Sequence, residues 1–264
     1  MIYEHHGQSI AYDTIGSGQP VIWIHGFGED RSMWPDFISD QFDGYTHYLI
    51  DLPGAGESPV WKGATIDQMA ELVIGLIQSE ELEKPVVIGH SMGGYVALAI
   101  GEHLQDQLGG LVLFHSHPYG DSDEKKQNRS KSAEFIRKHG TEVFIKELIP
   151  KLFPPAYANA HPDLLTELIE GAKHYPTEGL ATAMEAMRDR PNRVGVFSKF
   201  SFPVCCIIGS EDTLLPGKPI DQSQWINHGM VRYHEGIGHM GMHEDQKATR
   251  KDVQVFLEYA ASLI

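Results

Sequence analysis

The feature that most constrains the fold of this chain is a glycine-flanked serine between an apolar run and a helix-forming run. Residues 85–88 (PVVI) are typical of a buried strand, residues 89–93 (GHSMG) follow at once, and residues 95–100 (YVALAI) favour a helix. A chain passes from strand to helix in so few residues only through a sharp turn, and small residues on both sides avoid steric clashes. Such a turn holds a serine hydroxyl out of the end of a sheet, so Ser91 is a candidate nucleophile.

Short apolar runs alternate with helical patterns along the chain, which is typical of a parallel sheet covered by helices. An opening hairpin is predicted over residues 2–15, with its turn at residues 6–7. Helices are predicted over residues 66–77, with a capping box of Thr65 and Gln68, and over residues 253–260. The other predicted strands cover residues 21–24, 46–50, 86–88, 111–114, 204–208 and 230–233.

The segment from residue 118 to about residue 199 breaks this alternation. It shows helical patterns punctuated by prolines and no strong strand pattern, so we expect a helical insertion between two strands of the sheet. Phe153, Tyr157 and Met184 are candidates for the wall of an apolar substrate pocket, although apolar stripes on helices more often serve packing. A group of arginines in this segment fits a solvated basic face better than a clamp for a substrate carboxylate; these are Arg188, Arg190 and Arg193.

Composition narrows the class of protein. The formal net charge of −15 argues against nucleic acid or an anionic membrane as a partner, and no apolar stretch is long enough to cross a bilayer. The first six residues do not resemble a signal peptide, and the only two cysteines, Cys205 and Cys206, lie in an apolar strand pattern that predicts buried thiols. We therefore expect a soluble, cytoplasmic protein.

No metal or cofactor is expected. The two imidazoles of His115 and His117, with one residue between them, lack a nearby third ligand, so this pair is interpreted as pocket lining at the end of a strand. The charged residues 121–126 are interpreted as the solvated start of a helix.

A nucleophilic serine needs a base within hydrogen-bonding reach and a carboxylate that orients the base. Asp212 lies in a loop after the strand over residues 204–208, and His239 lies among glycines after the last strand. Glu211 is the alternative acid, and His243 is the alternative base, although His243 is better placed at the start of the last helical region.

Backbone amides beside the nucleophile could polarise a substrate carbonyl. The loop over residues 25–28 follows the first buried strand, so the N–H groups of Phe27 and Met92 are the candidate oxyanion donors. His25 and His90 lie next to these positions and are predicted to have structural roles.

These motifs together resemble the α/β-hydrolase family, nearly end to end. Residues 25–28 with Trp34 resemble its oxyanion loop, residues 51–58 (DLPGAGES) its D-x-x-G-x-G-x-S segment, residues 209–216 its acid loop and residues 238–239 its histidine loop. The resemblance implies an α/β-hydrolase fold, with a mostly parallel central sheet flanked by helices.

By matching positions, the resemblance also implies that Ser91 is the nucleophile, Asp212 the acid and His239 the base, with Phe27 and Met92 forming the oxyanion hole. It implies two parts of the chain: a core of residues 1–117 and 200–264, and a helical cap of residues 118–199.

The function expected from this reading is hydrolysis of a small ester, thioester or lactone by a carboxylesterase-like serine enzyme. A serine at position 91 argues against the dehalogenase and epoxide hydrolase branches, which need an aspartate there, and Met92 departs from the tryptophan typical of proline iminopeptidases. Two alternatives stay open: a carbon–carbon bond hydrolase or lyase of the same fold, and a ligand-binding regulatory member with a protein partner.

Overall fold

One sheet organises the molecule. The computed structural model describes residues 1–38, 42–215 and 229–263. Its strands in these ranges are β1 (Ile2–His5), β2 (Gln8–Gly16), β3 (Gln19–Ile24), β4 (Tyr45–Ile50), β5 (Val86–His90), β6 (Gly110–Phe114), β7 (Val204–Gly209) and β8 (Gly229–His234). They pair in the order β1-β2-β4-β3-β5-β6-β7-β8. β2 runs antiparallel to β1 and β4, and the other neighbouring pairs are parallel.

The central strands are covered on both faces. Every residue of β5, β6 and β7 is buried, and successive side chains of a strand point to opposite faces, so helices must pack on both sides. Cys205 and Cys206 illustrate this, because both are fully buried in β7 and neither forms a disulfide, as predicted. The expected mostly parallel sheet flanked by helices is confirmed.

Helices connect the strands. They are α1 (Pro35–Ile38), α2 (Ile66–Ser79), α3 (Met92–Leu104), α4 (Asp123–His139), α5 (Thr141–Leu148), α6 (Pro155–Ala160), α7 (Pro162–Ala172), α8 (Thr177–Asp189), α9 (Val194–Phe197), α10 (Gly241–Glu244) and α11 (Gln246–Ala261). The predicted capping box is present at the start of α2, where Thr65 and Gln68 bond each other's backbone amides. No helix in the described ranges has the length and apolar character needed to span a bilayer.

Between β6 and β7 the chain forms α4 to α9 and, over residues 118–199, no strand. α4 packs along α8, and Arg137 of α4 pairs with Glu178 and Glu185 of α8. The helical segment also contacts the loop that follows β4, where the backbones of Gly54 and Gly179 meet. They are so close that a Cβ added at Gly54 would lie 2.8 Å from the Cα of Gly179.

Two of the three arginines differ from the expected solvated face, whereas Arg188 is partly exposed and pairs with Asp189 at 2.6 Å. Arg190 and Arg193 are buried, and their guanidinium groups pair with carboxylates: Arg190 with Asp121 at 2.8 Å, and Arg193 with Glu102 at 2.8 Å and with Asp67. Charge periodicity in a sequence does not reveal such long-range partners, which here make buried guanidinium groups tolerable.

Candidate active site

The turn between β5 and α3 places Ser91 at the carboxyl end of the sheet. Its backbone has φ 49° and ψ −111°, a conformation that costs energy for a residue with a side chain. A Cβ at Gly89 would lie 2.3 Å from the carbonyl oxygen of Gly93, and one at Gly93 would lie 2.4 Å from that of Ile24. Only glycine fits at either position. The hydroxyl of Ser116 donates to the Ser91 carbonyl at 2.7 Å and supports the turn.

Ser91, His239 and Asp212 form one hydrogen-bonded row. Ser91 Oγ lies 2.8 Å from His239 Nε2, and His239 Nδ1 lies 2.8 Å from Asp212 Oδ2. Asp212 follows β7 and His239 follows β8, and the carboxyl ends of parallel strands share one edge of the sheet. Pro216, the last residue of the acid-loop pattern, lies outside the described residues. The structure thus brings together the three side chains that the sequence predicts as nucleophile, base and acid.

The two alternatives for these roles lie elsewhere. Glu211 is exposed, and its amide donates to the Ile237 carbonyl at 2.8 Å. His243 lies in α10, where its carbonyl accepts a hydrogen bond from the Tyr157 hydroxyl at 2.9 Å.

Asp212 and His239 fix each other's protonation. Burial acts to raise the pKa of Asp212, but the neighbouring imidazoles of His239 and His115 outweigh it and hold that pKa well below its usual range. Burial acts to lower the pKa of His239, but the charge and hydrogen bond of Asp212 bring it above the ordinary value of 6.5. An ionised Asp212 holds the proton on Nδ1, so Nε2 of the neutral ring can accept the proton of Ser91.

His115 is a second imidazole beside the acid. It is fully buried at φ 47°, directly after β6, and its Nδ1 lies 3.4 Å from Asp212 Oδ2. Burial lowers the pKa of His115 to about 4, so the ring is neutral near pH 7. Within the described ranges neither ring nitrogen has a hydrogen-bond partner of good geometry.

Two carboxylates hold the loops around the row. Glu29 Oε2 accepts from the Gly26 amide at 2.6 Å and lies 2.7 Å from His90 Nδ1. The other ring nitrogen of His90 lies 3.1 Å from the His239 carbonyl, so His90 links the two loops, in agreement with its predicted structural role. On the far side Glu244 accepts from the amides that flank His239, at 2.8 and 2.9 Å.

The amides of Phe27 and Met92 are available as donors. Neither amide donates to another group in the part of the chain that the structure describes. Met92 is the first residue of α3, where the helix dipole favours negative charge. His25 fixes the loop from below: Nδ1 lies 2.7 Å from the Gly26 carbonyl, and Nε2 accepts from the Leu52 amide at 2.9 Å.

A cavity of about 290 Å³ opens above Ser91 and His239. Much of its wall is apolar. The helical segment supplies most of the apolar side chains, namely Phe144, Leu148, Leu152, Met184 and Met187, and the rest of the chain supplies Phe27, Leu214 and Leu215. Met184, His115 and His117 line this cavity.

Phe153 and Tyr157 differ from the expectation, because neither belongs to the described lining of this cavity. Their rings stack on each other at 5.5 Å, and Phe153 is buried by packing. Apolar spacing identifies a buried helix face, but the spacing is the same whether that face covers a substrate or a core.

Several polar residues of the cavity were not selected from the sequence, namely Glu29, Tyr95, Lys125 and Arg129. The place of Tyr95 in the cavity could have been predicted from the sequence. Tyr95 lies four residues after Ser91 in a predicted helix, so its side chain faces the same side of that helix as Ser91. Lys125 belongs to the charged run, residues 121–126, that the sequence predicts to be solvated. It is exposed, but it stands at the rim of the cavity. Within the described ranges no three His, Cys, Asp or Glu side chains are grouped to hold a metal ion.

Two known proteins are similar to this chain over most of its length. A thermophilic esterase from Thermogutta terrifontis, solved with malate bound, is 30% identical, with a TM-score of 0.90 over 98% of this chain and 97% of that chain. The 3-oxoadipate enol-lactonase 2 of Acinetobacter baylyi is 24% identical over 207 residues, which are 77% of this chain and 76% of that protein.

A shorter match links the chain to a dihydrolipoyllysine-residue acetyltransferase component of the acetoin cleaving system from Cupriavidus necator. It is 35% identical over 118 residues, which are 44% of this chain and 32% of that protein. The chain spans less than half the length of the two curated relatives that it matches at 34% to 35% identity. The sequence model described as the alpha/beta hydrolase family matches residues 21–251, and the chain therefore belongs to the alpha/beta hydrolase family.

Proposed function

We propose that this protein is a serine hydrolase that cleaves a small ester, thioester or lactone through an acyl-enzyme. The observation that carries the proposal is the row of Ser91, His239 and Asp212, joined by two contacts of 2.8 Å at the base of an apolar cavity. Relatives named as an esterase and an enol-lactonase support an ester bond as the target.

In the proposed reaction Ser91 Oγ attacks the substrate carbonyl carbon while its proton passes to His239 Nε2. The carbonyl oxygen becomes an oxyanion that accepts hydrogen bonds from the amides of Phe27 and Met92. The tetrahedral intermediate then collapses, and the leaving alkoxide or thiolate takes the proton from His239. Water repeats the sequence on the acyl-enzyme, with His239 again accepting a proton, and releases the acid and free Ser91.

We also propose that residues 118–199 act as a cap that selects the substrate, while residues 1–117 and 200–264 carry the chemistry. The three proposed catalytic side chains lie outside the helical segment, and its side chains supply much of the cavity wall. A cavity of about 290 Å³ lies at the lower end of the range for ligand sites, which favours a small acyl group.

The test is covalent labelling with a fluorophosphonate, located by peptide mass mapping. We expect Ser91 to be the labelled residue, and we expect Ser91→Ala to lose both the label and the hydrolysis of short-chain p-nitrophenyl esters. Ser79→Ala is the matched control, because Ser79 lies in α2, outside the cavity lining, and its hydroxyl donates to the Leu76 carbonyl of the same helix. Undiminished labelling of Ser91→Ala would contradict the proposal.

Labelling and turnover together also distinguish the two open alternatives, a carbon–carbon bond hydrolase or lyase and a ligand-binding regulatory protein. Turnover of a vinylogous 1,5-diketone with no turnover of esters would assign a carbon–carbon bond hydrolase. Ligand binding by an unlabelled protein without turnover of either class would assign a regulatory role.

A further inference from the structure

One hydroxyl in the cavity has an orientation that its neighbours dictate. Tyr95 is only 8% exposed, lines the cavity and lies one helical turn after Ser91. Its Oη lies 3.3 Å from Nε2 of His117, and the amide of Tyr119 donates to Nδ1 of His117 at 3.2 Å. Because an amide N–H can only donate, Nδ1 of His117 carries no proton.

The ring of His117 is neutral and therefore carries its one proton on Nε2. Burial, with the nearby charges of Arg190 and Lys125, lowers the pKa of His117 to about 3. Nε2–H then donates to the hydroxyl oxygen of Tyr95, which leaves the hydroxyl hydrogen of Tyr95 to find another acceptor. No acceptor for it occurs in the described ranges. A buried donor without an acceptor is costly, so an acceptor on a ligand would satisfy it.

The surroundings of this hydroxyl are cationic, although the chain as a whole has a net charge of −15. Arg190 stacks on the ring of Tyr95, with Cζ 3.9 Å from the ring centroid. Arg190 and Arg129 share the carboxylate of Asp121, so one negative charge serves two guanidinium groups.

Lys125 adds a third positive charge at the rim of the cavity, and its Nζ forms no ion pair with any residue that the structure describes. Glu29, the carboxylate that also lines the cavity, is already used by Gly26 and His90.

We propose that the hydroxyl of Tyr95 and the ammonium of Lys125 bind a carboxylate of the substrate. The preferred substrate is then an ester that carries a free carboxylate away from the scissile bond, such as a monoester of a small dicarboxylic acid. This inference rests on the proposed function. A neutral acyl chain of the same length would leave the Tyr95 hydroxyl unpaired and place a methyl group beside the charges.

The test compares monoethyl succinate, glutarate and adipate with ethyl butyrate, pentanoate and hexanoate, by titration of the released acid. We expect wild-type kcat/KM to favour the carboxylate ester by about tenfold or more at the best chain length. Tyr95→Phe and Lys125→Met should each lower that ratio about tenfold, because each removes a hydrogen bond to a charged group. Lys126→Met, one residue further on α4 and outside the cavity lining, should keep the wild-type ratio.

A wild-type preference for the neutral esters, or an unchanged ratio in both Tyr95→Phe and Lys125→Met, would overturn the subsite. If no ester is hydrolysed, the proposed function fails, and the subsite is tested alone by calorimetric titration of glutarate into Ser91→Ala. The subsite is supported if glutarate binds Ser91→Ala, if binding weakens when Tyr95→Phe is combined with Ser91→Ala, and if it persists when Lys126→Met is combined instead. Absence of binding refutes it. Circular dichroism of each variant confirms that it is folded.

Discussion

At the scale of single residues, Asp212 has two effects on the proposed base. Its Oδ2 holds the Nδ1–H of His239, and its Oδ1 accepts from the Leu214 amide at 3.0 Å, so the carboxylate is fixed in place. Its charge also stabilises the imidazolium form of His239, which brings the pKa of His239 above 6.5 despite burial. The pH dependence of the rate therefore reports on this pair.

We predict that wild-type kcat/KM rises with pH through a midpoint above 6.5, because protonated His239 cannot accept the Ser91 proton. In Asp212→Asn the negative charge is gone, so burial dominates and the midpoint should move to lower pH. kcat should fall about 10⁴-fold, the magnitude known for loss of the orienting carboxylate in serine proteases. The measurement is a pH–rate profile with a p-nitrophenyl ester.

Glu211→Gln is the matched control, because Glu211 is adjacent and exposed. It should retain the wild-type profile. Near-full activity in Asp212→Asn together with loss in Glu211→Gln would assign the acid role to Glu211 instead.

The residue scale also shows what sequence reasoning could reach. Ser91, Asp212 and His239 could be selected because each follows a recognisable strand, and parallel topology brings those strand ends together. The donor role proposed for Tyr95 could not be predicted from the sequence. It depends on the amide of Tyr119, which donates to Nδ1 of His117 and so leaves the ring proton on Nε2. The buried ion pairs of Arg190 and Arg193 were equally inaccessible, since their partners lie far away in the sequence.

At the scale of elements, the unit of β5, its turn and α3 tolerates almost no added volume. Gly93 packs against backbone atoms of β3, so the turn is fixed by main chain and not by adjustable side chains. The existence of this unit was predictable from residues 85–100, because an apolar run, small residues and a helix-forming run follow one another. The predicted strand limits differ from the observed ones by one or two residues; β2 and β7, for example, extend to the glycines at their ends.

We predict that Gly93→Ala lowers the free energy of unfolding by about 1–3 kcal/mol, because the new methyl group would lie 2.4 Å from the Ile24 carbonyl oxygen. The measurement is urea denaturation. Gly171→Ala in α7 is the matched control: nothing lies within 4 Å of its new Cβ, so it should be neutral or stabilise by up to about 1 kcal/mol. Equal stability of the two variants would contradict the tight packing described for the turn.

At the scale of the whole molecule, the helical segment between β6 and β7 is held over the site by contacts on both sides. The Tyr175 hydroxyl donates to Asp30 at 2.8 Å, and the Leu152 carbonyl accepts from the His239 amide at 2.9 Å. The sequence predicted the helical nature of residues 118–199. It did not identify which apolar residues face Ser91, because that depends on these distant contacts.

We predict that Met184→Ala changes the relative kcat/KM across esters of increasing acyl length, by about 1–3 kcal/mol between the best and worst chain lengths. Met184 lines the cavity, so its loss opens space for a longer acyl chain. Labelling of Ser91 by a fluorophosphonate should persist. Met230→Ala, a methionine of β8 outside the cavity lining, should keep the wild-type length profile. A flat response in Met184→Ala would argue against substrate selection by this segment.

The two adjacent cysteines of β7 can report on local unfolding of the layers that cover this strand. Cys205 and Cys206 are the only thiols in the chain and point to opposite faces of the sheet, and burial raises the pKa of Cys206 to about 12. A disulfide reagent such as DTNB can therefore reach them only when β7 separates from the helices that cover it. Under native conditions the rate of colour release should equal the intrinsic thiol rate multiplied by the fraction of opened molecules. Modification of one thiol well before the other would reveal that one helical layer detaches before the other does.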